Sequence, residues 1–289
     1  MKHFYDIEND PDAVFNYRFI QPPQIAYFVT TQDEFGNVNA TPLTLGTCNA
    51  ATLPDGKHAG EFFLTFSMGT KSQNEEGNAN HPRDGYINLL KSDEAVISYI
   101  GKDLIDEAIM ANLPLPRGIS ELDVAGLHTF PSKNISVPSI RECAINIECT
   151  ITDRLPLGNH YMLFVARAVG ISVDEDLIQK DKDGYGVLHI DPAFELNINQ
   201  DQSKNNRLHF GFIDKNDVMI PGDDFGSLID WVGTFDHFID SELKRGKITK
   251  DEASEIKRLT NDFRRDRGNS RIKRRLTALL KKAIKGKKP

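Results

Sequence analysis

The most regular pattern of apolar and polar positions lies in the middle of the chain. Between residues 145 and 152 every odd position is apolar and every even position is polar. That two-residue period is typical of a strand with one buried face. A second β-rich run at 161–173 follows across a turn at 156–159. The pattern therefore predicts a long antiparallel hairpin.

Shorter β-like runs occupy much of the chain before and after this hairpin. They lie at 24–31, 38–46, 61–67, 95–99, 186–190 and 207–213. The turn-forming residues at 33–37 join the first two runs into another hairpin. Many short strands with few helices favour a barrel, because closure removes exposed strand edges. The prediction is a mainly β domain.

Helical patterns are peripheral to the predicted strands. They lie at 12–20, from Pro82 onward, at 102–112, and over the last sixty residues, including 249–266 and 270–284. A capping box at Thr249 and Glu252 opens the first of the last two helices. Loop structure is predicted for 69–81 and 113–140. We place the barrel domain at 1–213 and a helical C-terminal extension at 214–289.

Charge divides the chain in the same way. Residues 241–289 hold 18 Lys and Arg against 6 Asp and Glu, a net charge of +12, whereas the whole chain carries −7. A basic extension therefore follows an acidic body of −19. Such a split points to a partner for the extension.

Composition and the remaining motifs exclude several classes of protein. Charged residues make up 27% and apolar residues 39% of the chain, as in soluble globular proteins. The three cysteines cannot all pair, and we see no signal peptide and no apolar run long enough to span a membrane. We therefore expect reduced thiols and a cytoplasmic protein.

Motifs of the common catalytic classes are missing from the sequence. We find no dinucleotide-binding glycine motif, P-loop, serine-hydrolase elbow or zinc-protease motif. The eight histidines are dispersed, so no metal site is predicted, although distant ligands could converge.

Three local features carry candidate chemistry. Residues 39–44 place small hydroxyl residues around Pro42 at a strand end, where N–H and O–H groups could bond to a flat ligand; the alternative is an ordinary strand end. Arg83 begins a helix, where a cation is unfavourable unless an anion binds there; the alternative is a solvated arginine or one paired with Asp84. His160 begins a strand and could donate a hydrogen bond to a substrate, or could be a simple turn residue.

Five segments in register resemble the flavin reductase-like, FMN-binding split-barrel family, to which flavoredoxin belongs. The segments are 23–44, Arg83-Asp84-Gly85-Tyr86-Ile87-Asn88-Leu89, 122–127 with Pro131-Ser132, Glu148-Cys149, and Gly158-Asn159-His160. The resemblance covers roughly residues 10–195. It implies an FMN-binding split β-barrel with peripheral helices, followed here by the helical, basic C-terminal extension.

The resemblance also implies a homodimer with one FMN per subunit near the interface. Carried over to this chain, Thr41, Pro42, Leu43 and Thr44 would line the flavin ring. The phosphate end would be held by Ser67, Arg83, Asp84 and Asn88, and the catalytic candidate His160 would stand near the nicotinamide. Gly85 stands where the family usually has threonine, so one phosphate hydroxyl is missing.

The activity implied by the resemblance is hydride transfer from a transiently bound NAD(P)H to FMN, with a small-molecule acceptor. Backbone donors at 41–44 would stabilise negative charge on the flavin. The alternatives are a flavoredoxin-like electron carrier with a redox protein partner, and a non-reductase FMN-binding protein. For the basic extension we expect self-association or a solvated arm. Nucleic acid is a less favoured partner and an anionic membrane surface a third one.

Overall fold

The computed structural model describes most of the chain. The described residues are 24–44, 46–52, 58–72, 81–113, 115–180, 186–188, 193–195, 209–213, 219–224 and 235–284. The helix expected at 12–20 lies outside these residues.

Among the described residues, the predicted strands and helices are present, together with several elements that the pattern did not predict. The strands are β1 (Gln24–Ile25), β2 (Tyr27–Gln32), β3 (Val38–Leu43), β4 (Gly46–Thr52), β5 (His58–Gly69), β6 (Lys71–Ser72), β7 (His81–Pro82), β8 (Glu94–Tyr99), β9 (Thr129–Phe130), β10 (Ser139–Ile140), β11 (Ile145–Leu157), β12 (Tyr161–Val173), β13 (Ile178–Lys180), β14 (Gly186–Leu188), β15 (Phe194–Glu195), β16 (His209–Ile213) and β17 (Met219–Asp224). The helices are α1 (Asp84–Lys91), α2 (Ile105–Met110), α3 (Glu121–Ala125), α4 (Phe235–Lys244), α5 (Lys250–Arg265) and α6 (Ser270–Ile284), with 3₁₀ turns at Lys102–Leu104 and Glu175–Leu177.

One seven-stranded antiparallel sheet forms the body, in the order β3-β2-β8-β11-β12-β5-β4. Its two edge strands, β3 and β4, follow one another in the chain. Leu43 and Gly46 are three residues apart, a reach of at most ~11 Å. The edges of a flat seven-stranded sheet would be ~29 Å apart. The sheet must therefore curl until its edges nearly meet, which is the predicted split barrel.

The central hairpin of β11 and β12 is longer than the alternation predicted. Pairing runs from Ile145 opposite Val173 to Leu157 opposite Tyr161, so the connecting turn is 158–160 and not 156–159. Gly158 adopts φ 60° in this turn, a conformation that glycine tolerates at little cost. The extra length carries the hairpin beyond the buried part of the barrel.

The barrel encloses an apolar core that holds the strands in register. Its largest fully buried side chains include Phe66 on β5 and Phe164 on β12, whose ring centroids are 5.2 Å apart. Cys143 and Cys149 are buried thiols that form no disulfide. Burial of these inner faces leaves the outer faces of β5 and β12 for other contacts.

The C-terminal helices pack on the same chain. Apolar residues of α4, α5 and α6, among them Phe238, Ile256 and Leu280, share one buried cluster with Leu115 and Val124. The capping box at Thr249 and Glu252 is confirmed. The apolar stripes of the extension therefore face this internal core, and its charged positions face outward.

The proposed domain boundary falls between two strands that pair with each other. β16 and β17 pair across the proposed domain boundary at 213/214, and the described helices of the extension begin at Phe235.

Across the described residues, no helix has both the length and the apolarity of a membrane span. Within the same residues, no three His, Cys, Asp or Glu side chains are grouped as metal ligands would be.

Candidate functional site

Arg83 lies half-buried where α1 begins. Its backbone amide donates to Thr70 O over 3.2 Å, and a Cβ built on Gly69 would lie 3.3 Å from its Nε. The Nε is inaccessible to solvent and has no hydrogen-bond partner among the residues that the structure describes. Burial lowers the pKa of the Arg83 guanidinium. A buried, unsatisfied cationic N–H group is costly, and an anion is the ligand that satisfies it best.

Ser67 shares an outer face of the sheet with this guanidinium. Leu64, Phe66 and Met68 are buried in the barrel, so Ser67 points to the opposite side of β5, as Gly69 does. Tyr161 of β12 is opposite Gly69 in the register and is 48% exposed. Ser67, Arg83 and Tyr161 therefore line one surface.

The β3 strand also contacts the start of α1, on the side that carries Gly85. A Cβ on Gly85 would lie 2.9 Å from Asn39 Oδ1, 3.0 Å from Thr41 Oγ1 and 3.3 Å from Met68 Cε. Glycine at position 85 therefore lets the start of α1 approach β3 closely. This approach gives a physical reason for the departure from the family's usual threonine.

The edge of β3 that faces away from β2 carries hydrogen-bond acceptors. The amide of Ala40 points away from β2 and donates to Glu121 Oε2 over 3.2 Å. Pro42, the next residue on that side, has no N–H group. The carbonyl oxygens of Ala40 and Pro42 lie on this edge, and they accept hydrogen bonds. The backbone donors expected at 41–44 stay a prediction.

The other residues of the segment lie along the split. Thr41 is 8% exposed and its hydroxyl donates to Asn39 Oδ1 over 3.2 Å. Pro42, Leu43 and Thr44 are half-buried. Thr41 is thus next to the start of α1, and 42–44 continue toward β4. Their contact with a flavin ring stays a prediction.

The two remaining phosphate candidates are engaged with other residues. Asn88 is buried, and its Nδ2 donates to Thr31 Oγ1 over 3.1 Å. Asp84 Oδ1 lies 3.5 Å from Arg117 Nε. Ser67 lies on the same face of β5 as Gly69, which is next to the Arg83 guanidinium, whereas the Asn88 side chain is directed toward β2. The phosphate-binding roles of Asp84 and Asn88 stay predictions.

His160 lies in the exposed turn between β11 and β12. Its carbonyl oxygen accepts hydrogen bonds from the Thr70 amide over 2.8 Å and from the Thr70 hydroxyl over 3.3 Å. These bonds fix the turn to the end of β5, one residue beyond Gly69. The backbone of His160 is thus linked through Thr70 to the backbone of Arg83, and the catalytic role of the His160 imidazole stays a prediction.

Glu121 is a site residue that the sequence did not reveal. It opens α3 within the stretch that was predicted to be loop. Its Oε1 accepts a hydrogen bond from Asn39 Nδ2 over 2.7 Å, and burial raises the pKa of its carboxyl to about 8. α3 is five residues long and ends at Gly126 with φ 81°. Such a short helix has too few positions to display a period, and its sequence signals were Ser120 at the N-cap position and Gly126 after its last residue.

Most of the barrel matches a known protein family. The family model described as a flavin reductase like domain matches residues 23–189. This match covers more than half of the chain, and the chain therefore belongs to the flavin reductase-like family, a family of flavin-binding proteins. The helices α4, α5 and α6 lie outside the matched range.

Two relatives are similar to more than half of the chain. An uncharacterised protein of Halalkalibacterium halodurans is 30% identical over 173 residues, which cover 57% of this chain and 76% of the relative. The YwrF protein of Bacillus subtilis is 27% identical over 169 residues, 56% of this chain and 74% of its own.

Two solved structures share the fold. Nitrilotriacetate monooxygenase component B from Bacillus cereus superposes with a TM-score of 0.56 at 22% identity, covering 67% of this chain and 91% of its own. The 2-nitrobenzoate 2-nitroreductase NbaA of Pseudomonas fluorescens gives a TM-score of 0.51 at 14% identity, covering 77% and 93%. At these identities the likeness establishes the split-barrel fold.

Proposed function

We propose that this protein is an FMN-dependent NAD(P)H oxidoreductase that passes reducing equivalents to a flavin or another small acceptor. The observation that carries the proposal is the buried Arg83 Nε, which has no hydrogen-bond partner in the described part of the chain and lies next to Gly69 at the start of α1. Membership of the flavin reductase-like family supports the choice of a flavin as the ligand.

The residues around Arg83 suit a phosphate group. The guanidinium supplies charge-assisted hydrogen bonds, and the first amides of α1 have no acceptor within their own helix. Ser67 adds a hydroxyl on the same surface. Asp84 would repel a phosphate, but Arg117 lies 3.5 Å from it and offsets its charge.

The β3 edge suits a flat ring with both donors and acceptors. The carbonyl oxygens of Ala40 and Pro42 can accept from the ring imide N–H of a flavin. Thr41 already donates to Asn39, so its hydroxyl presents lone pairs to a ligand. When bound, FMN supplies the redox chemistry, so the protein needs to hold and shield the ring without an acid–base pair of its own.

An exposed apolar surface supports a homodimer. Leu155, Leu157 and Tyr161 are 51%, 46% and 48% exposed and point to the same side of the extended hairpin. Leu163, opposite Ser67, continues this surface to Arg83. Contiguous apolar surface of this kind marks an interaction site. A second copy of the chain that covered it would place the flavin near the interface.

Rapid mixing of the FMN-loaded protein with NADH or NADPH under anaerobic conditions tests the activity. We expect the visible absorbance of the oxidised flavin to bleach, because reduction removes that chromophore. A yellow protein that neither nucleotide bleaches would instead be an electron carrier or a non-reductase FMN-binding protein.

A further inference from the structure

A short segment between residues 117 and 121 binds both halves of the proposed flavin site. Glu121 accepts from Asn39 Nδ2 over 2.7 Å and from the Ala40 amide over 3.2 Å, so its carboxyl holds β3 through two atoms. Because Asn39 gives its amide hydrogens to Glu121, its Oδ1 faces Thr41 and accepts the hydroxyl hydrogen there. Glu121 thereby sets which way the Thr41 hydroxyl points.

Arg117 holds the other half. Its Nε lies 3.5 Å from Asp84 Oδ1, and the two side chains are 26% and 23% exposed. Asp84 is the first residue of α1 and follows Arg83 directly. The ion pair therefore restrains the end of α1 from which the Arg83 guanidinium projects.

The C-terminal extension supports this segment. Phe263 of α5 packs against Gly118, since a Cβ there would lie 3.6 Å from the ring. Ile119 is buried in the cluster formed with α4, α5 and α6. Lys273 of α6 also donates to Asn37 Oδ1 over 2.8 Å, at the turn that precedes β3. The support comes from helices beyond the family match.

We propose that Glu121 and Arg117 are positioning residues for flavin binding: they fix β3 relative to α1, and the C-terminal helices hold them in place. The inference rests on the proposed function, because it assigns both elements to the flavin site. Burial raises the pKa of Glu121 to about 8, so the carboxyl is mostly neutral at pH 7. A glutamine therefore matches its size and charge there, but its amide nitrogen cannot accept a hydrogen bond.

Titration of the full-length protein with FMN, for the parent, Glu121→Gln, Asn39→Ala and the double variant, tests the proposal. We expect each single variant to bind FMN about tenfold more weakly, because each removes a hydrogen bond from the series that joins Glu121, Asn39 and Thr41. The double variant should be little weaker than either, because residues that act through one another are not additive. Arg117→Gln should weaken FMN severalfold by releasing α1.

Glu148→Gln is the matched control. Glu148 is also a buried carboxyl bound by several donors, but it holds Lys133 and Asn134 on another loop. We expect this variant to lower the Tm while its FMN affinity stays within about twofold of the parent. Asn39→Ala removes the hydrogen bond between Asn39 and Glu121 from the Asn39 side, so the proposal can still be tested if Glu121→Gln does not fold.

The outcomes separate this inference from the proposed function. Parental FMN affinity in Glu121→Gln and Asn39→Ala, with a lowered Tm, would overturn the positioning role and leave the flavin site intact, provided that Arg83→Ala still loses FMN. Additive losses in the double variant would also overturn it. A parent protein that binds no FMN would overturn both.

Discussion

Individual residues show how far physical reasoning from sequence reaches. Arg83 was predicted to bind an anion, because a cation at a helix N-terminus is unfavourable without one, and that role stays a prediction. Asn88 was predicted for the same site from its position on α1, yet its amide is bonded to Thr31. The direction of a side chain depends on what packs around the helix, and neighbouring sequence does not encode it.

Glu121 gives the stability of the protein a distinctive pH dependence. A glutamate carboxyl has its ordinary pKa of 4.5 in the unfolded chain, whereas burial raises the pKa of Glu121 to about 8 in the folded one. The folded state therefore holds a proton that the unfolded state releases, and this contribution to the free energy of unfolding falls as pH rises from ~4.5 to ~8. Urea unfolding of the parent and of Glu121→Gln across this range measures it. The parent should lose stability relative to the variant as pH rises, and a constant difference would contradict the assignment.

The role of His160 in flavin reduction is a prediction that a single substitution can test. The backbone carbonyl of His160 holds Thr70, while the residue is exposed. We expect His160→Ala to keep FMN bound and to slow flavin reduction by NADH or NADPH, because a hydrogen-bond donor to the nucleotide is lost. Stopped-flow absorbance gives the rate, and the spectrum before mixing gives the flavin content. Equal rates at equal flavin content would leave His160 as a turn residue.

At the scale of elements, the strength of the sequence pattern decided what could be predicted. α5 and α6 were predicted to within a residue or two, because a capping box and a long apolar stripe mark them. α3, with five residues, lay in a stretch predicted as loop. The strand predicted at 38–46 ends at Leu43 as β3, and nearly all of β4 (Gly46–Thr52) was not predicted. The separation of β3 from β4 follows from closure of the barrel, which is a long-range property of the sheet.

The packing of α6 makes a direct prediction about the extension. Leu280 is fully buried in the cluster shared with the body of the chain. Leu280→Ala should lower the free energy of unfolding by about 2–5 kcal/mol, through lost burial and a new cavity. Urea unfolding followed by circular dichroism measures the loss. Thr277→Ala, at a half-buried position of the same helix, is the control and should change little. A loss below ~1 kcal/mol for Leu280→Ala would mean that the extension does not share the core.

At the scale of the whole molecule, the split barrel was predictable and the site was predictable only in part. Strand periodicity gave most of the sheet, and the resemblance in five segments gave its closure. The charge split suggested that the extension needed a partner. Inside the extension, Arg275 of α6 pairs with Glu255 of α5, and Lys282 of α6 pairs with Glu252 of α5. The partner expected for the extension stays a prediction.

The exposed hairpin surface predicts the oligomeric state. Leu155 is 51% exposed in the single chain, so replacing it should cost that chain little stability. At a dimer interface, a buried unpaired charge would be strongly unfavourable. We expect Leu155→Glu to convert a dimeric parent to monomers, as measured by light scattering. The substitution should not lower the Tm of the monomer. A parent that is monomeric at ~100 µM would contradict the dimer.

The central claim is that the start of α1 and the end of β5 hold the phosphate of a flavin. FMN titration of the full-length protein, followed by flavin fluorescence, tests this most directly, with Arg83→Ala and the exposed tail variant Arg271→Ala in parallel. We expect saturable binding by the parent and by Arg271→Ala. For Arg83→Ala we expect a loss of about 1.5–3 kcal/mol, roughly 10- to 150-fold in Kd. Equal affinity of all three proteins for FMN, or no binding by the parent, would contradict the claim.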